Sequence, residues 1–505
     1  MVNAPLHYRS GGETTLTVVD PRFGTKATPT QPAGWGTSVS APVGGSRVTV
    51  APSGDTTGAT DRANIQAAID AATETHTELT NLNAYFSGGQ ATVIELVGKY
   101  TIDGALVMKQ GVWLKGQSWL GSTIHLAPGS NSSMITWEPK TYWTGISDLQ
   151  LDGHGEQQTG GGPAVNCDAR GAVTVRGDSC TAPFIQRIMV TYAYDSAFLL
   201  DAVESRTADC YAFRAGKHGF IVSASDSFMH GCASGDSRDS GFLINGGQHH
   251  ISNCKSWWSG FYQPDRTKLA TKPSTITNPV PGFKIHGNDN MIVNCDAQDS
   301  SGDGFFISGP GNYLRNVVSD DSLGNHFHLW GNAYGNTIEG HCRSVHMGTA
   351  KAAVRFETWT ATRRNRVTID WNTATFNGVP RVEKGVVVSG TDAANALTGN
   401  VVRIGTPEVV FTTDYADTIT PDPIMGGVDV TLAGPVTIAN TVRDRSIYGT
   451  DLTITLRQDA AGGRAVAWGS EYVGMTPPDL GSSKVNIWRI RRMVDRWVQT
   501  GFTAY

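Results

Sequence analysis

The sequence predicts an all-β fold, a right-handed parallel β-helix of about 22 residues per coil, with a short N-terminal capping helix and a C-terminal antiparallel β module. Three observations predict it. Phe198, Phe220, Phe242, Phe283, Phe305 and Phe327 recur at intervals of 22, 22, 41, 22 and 22. Cys210, Cys232, Cys254 and Cys295, with Val317 in the next place, keep the same step and break by the same 41. Two independent columns with one period and one interruption mark a solenoid, in which each unit buries its apolar face against its neighbours. The units are also rich in Gly, Asn, Asp and Ser around short alternating apolar runs, so they read as strands and turns. Stacked coils set equivalent residues in ladders about 4.8 Å apart, and such a face suits a long repetitive ligand such as a polysaccharide.

Composition agrees with a turn-rich β protein. Of 505 residues 59 are Gly, only 17% are charged, and the net charge is −5. The length allows two or three domains. No basic patch with interleaved aromatics occurs, so no nucleic-acid partner is expected. No apolar run reaches the roughly 20 residues that span a bilayer, so no membrane insertion is expected. The opening Met-Val-Asn-Ala-Pro-Leu-His-Tyr-Arg lacks a charged region followed by an apolar one, so no secretory signal peptide is expected.

Taken in order, residues 1–50 are rich in Thr, Gly, Pro and Val and read as an irregular β leader or attachment region. Ile65, Ala68, Ile69 and Ala72 fall at helical spacing, with Asp61 placed to cap the start. Short glycine-punctuated strands follow: Thr92 to Leu96, Gly98-Lys99-Tyr100-Thr101-Ile102, Gly111 to Gly116 and Ser122 to Leu126. This order resembles the N-terminal entry of pectate-lyase-like β-helix proteins, phage tailspikes among them. The resemblance implies that the helix caps the open end of a β-helix over about 51–400 and that the protein is a trimer. It implies no particular reaction, since the fold hosts lyases, hydrolases, epimerases and inert binders.

Within each coil, Phe and the residue two places on (Val222, Ile244, Ile285, Ile307, Leu329) face inward by alternation. The position before the Cys column (Asp209, Gly231, Asn253, Asn294, Asn316) resembles the asparagine ladder of such β-helices, at turns that need a left-handed residue. Four Cys in one column read as an inward stack of small apolar side chains; Cys167 and Cys180 flank a Gly-rich excursion and are close enough in sequence to pair. Residues 401–424 read as a linker and 425–505 as a β-sandwich-like module. Its Leu456-Arg457-Gln458-Asp459, Gly462-Gly463-Arg464 to Gly469 and Trp497-Val498 pieces resemble a module on tail proteins of phages that infect actinobacteria.

Three places invite chemistry. The 41-residue step adds 41 − 22 = 19 residues to one coil, roughly Tyr262 to Pro281, and long loops on a rigid scaffold tend to be functional. Trp257, Trp258, Phe261 and Tyr262 at its root offer flat faces to sugar rings. The outward residues after each Phe include Lys284, Phe306 and His328. If Phe356 takes the Phe column, Glu357 follows His328 and Arg355 stands beside His326, giving a carboxylate, an imidazole and a guanidinium together. Four places after this Cys column, continued through Val317 and Cys342, come Arg214, Asp236, Trp258, Asp299, Asp321 and His346, with Asp303 and Asp320 nearby; stacked carboxylates raise one another's pKa. His249-His250 reads as a solvated turn, and Asp152 to Glu156 as a loop at the groove edge. No Cys/His cluster has zinc-ligand spacing.

The function expected is a phage tailspike-like protein of the virion tail, released by lysis. It would be homotrimeric, associated with other phage tail proteins, and would bind and hydrolyse a bacterial cell-surface polysaccharide. Asp299, Asp321 and Glu357 are the catalytic candidates. Trp257, Trp258, Tyr262, Lys284, Phe306, His326, His328, Arg355, Asp236 and Asp303 are the substrate-binding ones. Neither cofactor nor metal is expected. A uronic-acid lyase using Lys284, His328 or Arg355, alone or with Ca²⁺, and a non-catalytic receptor-binding spike are the alternatives.

Overall fold

The computed structural model describes residues 46–74, 91–139, 141–142, 144–167, 182–262, 279–343, 352–357, 364–371, 416–421, 427–440, 451–493 and 496–505, with short strands between 375 and 412. Residues 1–45 of the expected leader, most of the inserted loop, Cys180 and His346 lie outside them.

The stack begins at Arg47–Val50, inside the expected leader, which pairs in parallel with Thr92–Leu96. One α-helix, Ala59–Glu74, covers the open end and buries Ile65, Ile69 and Ala72. Its first turn is capped by Asp55, not Asp61. Asp55 Oδ2 accepts the Thr60 N–H (2.9 Å), and that bond, then the Thr57 hydroxyl, holds the Asp55 carboxyl far below its ordinary range. Asp61 is buried and fastens the helix to its surroundings, accepting from the N–H of Ser53 (2.7 Å) and of Thr101 (3.0 Å). Sequence alone could not choose between two Asp residues six apart, because both precede the apolar stripe.

Each regular coil has three three-residue strands. Strands such as Phe198–Leu200, Phe220–Val222 and Phe242–Ile244 pair in parallel in an 11-stranded sheet. The other two strands of each coil join a 19-stranded sheet that bends between them. Asp209, Gly231, Asn253, Asn294 and Asn316 sit at that bend, all with φ between 51° and 64°. Only a left-handed residue turns the chain so sharply, which Gly, Asn and Asp tolerate best. Asn316 Nδ2 donates to Asn294 Oδ1 (2.8 Å).

The interior is the Phe stack. All six rings are buried, with successive centroids 4.6, 5.0, 4.6, 5.0 and 5.3 Å apart and planes within 15°. Phe242 pairs directly with Phe283, so the 19 extra residues belong to one coil. A second asparagine ladder, absent from the sequence reading, lies inside: Asn290, Asn312, Asn336 and Asn365. Each Oδ1 accepts the backbone N–H one coil earlier at 2.8 to 3.0 Å. Its first donor is His249, which is buried rather than solvated.

Past residue 330 the coil length changes, and two sequence registers need correction. Phe327 pairs with Val354 and Leu329 with Phe356, so Phe356 is not in the Phe column. Cys342 pairs with Ser319, not with Val317. In the expected linker, Val401–Gly405 pairs in parallel with Arg366–Asp370 and continues the stack.

The C-terminal module contains the expected antiparallel sheet, with parallel strands beside it. Asp451–Arg457, Val485–Arg492 and Trp497–Ala504 pair antiparallel, Gly427–Thr431 and Tyr472–Val473 join the two outer ones in parallel, and Thr418–Ile419, Val436–Ile438 and Val466–Trp468 form a separate parallel sheet. Ile438, Leu452, Ile454, Leu456, Trp488 and Trp497 form its core. The Gln458-Asp459 pair clamps a loop: Gln458 bonds the Arg464 backbone at both N–H (2.8 Å) and C=O (2.9 Å), and Asp459 pairs with the guanidinium at 2.7 Å.

Candidate functional site

The outward column of the 11-stranded sheet runs Leu199, Ile221, Leu243, Lys284, Phe306, His328, Arg355. From Leu199 to Leu243 it is aliphatic, after Thr136 and Asn166 in the coils before, and from Lys284 on it is chemically varied. Alternation makes these positions outward, and each parallel neighbour lies one coil away.

At the varied end four side chains meet. Asp303 lies in the turn leading into the strand Phe305–Ile307. Its Oδ1 accepts from the backbone N–H and the side-chain amide of Asn325, both at 2.7 Å, and its Oδ2 lies 2.7 Å from His328 Nδ1. A Cβ at Gly324 would stand 2.6 Å from Asp303 Oδ1, so glycine there leaves the carboxylate its place. The Asp303 contact sets the proton of His328 on Nδ1 and directs Nε2 toward Glu357 Oε1, 3.6 Å away. Arg355 Nη2 donates to the same Glu357 oxygen at 2.6 Å. The face of Phe306 meets the His328 ring edge-on at 5.1 Å, and Trp330 is 5.9 Å from Phe306. His328 is largely enclosed, while Arg355 and Glu357 are about a quarter exposed (30% and 25%), so a ligand reaches the carboxylate from outside.

Lys284 stands two places down the column. It helps, after burial, to hold the His286 imidazole below its ordinary value. His286 and Trp330 were missed by the sequence reading. The signal was present as a polar column three places after Phe: Ser223, Asn245, His286, Ser308 and Trp330.

Other candidates lie elsewhere. His326 is fully buried, with Nδ1 2.8 Å from Ser319 Oγ, and burial pushes its pKa down to about 3. It is an internal neutral group and cannot touch a glycan. Tyr262, 1% exposed, is a core anchor of the inserted loop, as is Phe261. Asp236, Trp258, Asp299 and Asp321 all occupy left-handed turn positions with φ from 51° to 58°. Asp236, Asp299 and Asp321 are 1%, 5% and 2% exposed, and Asp236 lies 3.7 Å from the Arg214 guanidinium. Trp257 lies on the other sheet, its ring laid over Gly235, where a Cβ would meet it at 2.7 Å, and stacked on Tyr211 at 5.5 Å. Cys167 is buried, and its suggested partner Cys180 falls outside the described residues.

Residues 419–490 match the family described as "Putative phage tail fibre C-terminal domain". The A-module of the Azotobacter vinelandii mannuronan C-5 epimerase AlgE4 is similar in fold. It has TM-score 0.50 and 17% identity, with 69% of this chain and 91% of that one covered. ORF18 of Geobacillus virus E2 gives TM-score 0.48 at 16% identity over 65% of this chain and 62% of that one. A tailspike of the Escherichia coli bacteriophage HK620 gives 0.46 at 10% identity over 88% of each. No curated protein matches by sequence. The likeness to solved structures is one of fold, a parallel β-helix, and the match to the tail-fibre family is confined to residues 419–490.

Proposed function

We propose that this protein sits in a phage tail as a homotrimeric, tailspike-like spike, joined to other tail proteins, and hydrolyses a bacterial cell-surface polysaccharide. The observation that carries the catalytic part is the contact chain Asp303, His328, Glu357, Arg355 on an otherwise unremarkable outward column. The tail-fibre domain at residues 419–490 supports the place in the virion.

In this reading the glycosidic oxygen takes a proton from solvent as its bond to the anomeric carbon breaks. Glu357 takes a proton from the water that attacks that carbon. Glu357 then releases that proton to solvent through its exposed edge, which resets the site. Asp303 orients His328, and Arg355 holds Glu357. Lys284, Phe306 and Trp330 line the approach, an aromatic and cationic surface suited to an acidic or neutral sugar. Asp299 and Asp321, held in turns, take no step.

Surface polysaccharide fractions from candidate hosts, digested with the full chain and followed by mass spectrometry, test this. Hydrated oligosaccharides that vanish with Glu357→Gln but persist with Asp299→Asn and Asp321→Asn support it. Unsaturated ends would replace hydrolysis by β-elimination, for which Arg355 and Lys284 supply the charge neutralisation. Cell binding without cleavage would leave a receptor-binding spike.

A further inference from the structure

Far along the chain from this site, a second cluster is built by the first coils. His125 lies in the strand Ser122–Leu126, and its parallel neighbour one coil on is Asp152, the last residue of Gly145–Asp152. Two residues later His154 takes a left-handed backbone, φ 41° and ψ 46°, a conformation uncommon for any residue with a Cβ. Gly153 between them packs so tightly that a Cβ would stand 2.9 Å from Ala193 Cα. The loop is therefore pinned, and the His154 ring returns over Asp152.

The result is a triangle of donor atoms. His125 Nδ1, His154 Nε2 and Asp152 Oδ2 are 3.1, 3.3 and 3.4 Å apart. Ligands sharing one tetrahedral ion at 2.0–2.1 Å are separated by about 3.3–3.4 Å, whereas octahedral neighbours at that radius lie about 2.8–3.0 Å apart. The remaining polar atoms hold the triangle in that presentation. Asp152 Oδ1 accepts the His154 N–H (3.2 Å), which leaves Oδ2 facing the rings. His154 Nδ1 lies 3.6 Å from Glu156 Oε1, which directs the lone pair of Nε2 inward. All three side chains remain partly exposed (30%, 19% and 28%), so the position is open from solvent.

We propose that His125, Asp152 and His154 bind a divalent transition-metal ion, foremost Zn²⁺, in a three-ligand site whose fourth position faces solvent. Two imidazoles and one carboxylate suit Zn²⁺ far better than Ca²⁺ or Mg²⁺, which take oxygen ligands in larger number. Glu156 is a positioning residue. The open fourth position can accept a water or a sugar hydroxyl.

The test is metal titration of the full chain after dialysis against chelator, by calorimetry with Zn²⁺ and by visible absorption with Co²⁺. One equivalent of Zn²⁺ and an intense, low-symmetry Co²⁺ spectrum are expected. His154→Ala and the isosteric Asp152→Asn should abolish both. Glu156→Gln should weaken binding about 10–100-fold, while His341→Ala, remote from the triangle, should leave it unchanged. Circular dichroism of each variant separates lost binding from lost folding, and the wild-type Co²⁺ spectrum needs no variant at all. Absence of stoichiometric uptake, a weak six-coordinate Co²⁺ spectrum, or uptake that survives both His154→Ala and Asp152→Asn would overturn the site.

Discussion

Along the strands from Phe198 to Leu329 the inward and outward side chains obey different rules. Inward, one residue type repeats six times, and its rings stack nearly coplanar down the axis. Outward, the column changes from Leu199, Ile221 and Leu243 to Lys284, Phe306 and His328 within the same strands. An inward side chain must fit the shape of the coil above and below, so the best solution for one coil is the best for the next. An outward side chain meets only its parallel neighbours and solvent, and is released to carry chemistry. The change falls at the coil enlarged by 19 residues (41 − 22), where the regular repeat is also interrupted.

Substitutions on the two faces should therefore separate activity from stability. The largest effect is expected from Glu357→Gln, an outward change. Turnover of the glycan should fall by about 10²–10⁴-fold, with the denaturation midpoint nearly unmoved. An equal loss of both would place Glu357 among the structural residues. Phe242→Ala, inward and mid-stack, should cost about 3–5 kcal/mol in equilibrium denaturation, because rigid neighbours above and below cannot collapse into the space. Asn312→Ala comes next. It strips acceptors from Asn290 and donors from the carbonyls of Gly287 and Gly309, and leaving buried groups unmet should cost about 2–3 kcal/mol.

Acid should act on the inward face first. Burial lowers His326 to about 3 and His249 to about 4. The unfolded chain binds these protons near the ordinary value of about 6.5, so between there and about 4 it holds more protons than the native state. Their contribution is full above that ordinary value and is lost as pH falls, by about 1.4 kcal/mol per pH unit for each. Urea midpoints measured from neutral to mildly acidic pH should show this slope, and His326→Asn should reduce it by about half. The smallest effect is expected at Leu243→Ala, one residue from Phe242 but outward and half-buried. A loss below about 1 kcal/mol is expected there, and a cost matching that of Phe242→Ala would break the distinction between the faces.

Much of this was legible in the chain itself. The period, the inward Phe and Cys columns, the left-handed turn column and the capping helix follow from residue type and spacing, because a solenoid asks the same of every coil. The resemblance of the C-terminal module to phage tail proteins was read in part from Gln458, Asp459 and Arg464, which lie within the residues 419–490 that match the tail-fibre family. What the tertiary structure alone decided is how coils of unequal length align. Phe327 faces Val354, 27 residues on, rather than Phe356 at 29. A slip of two residues keeps every side chain on its own face, and Val and Phe both fill an inward slot, so periodicity cannot tell the two registers apart. The same ambiguity misplaced Cys342. For the same reason the sequence joined His328, Arg355 and Glu357 in a shifted register and left Asp303 apart, and it listed Asp152 and His154 without His125. Those groups come together through parallel pairing across coils 22 to 29 residues apart, and only the folded stack sets that distance.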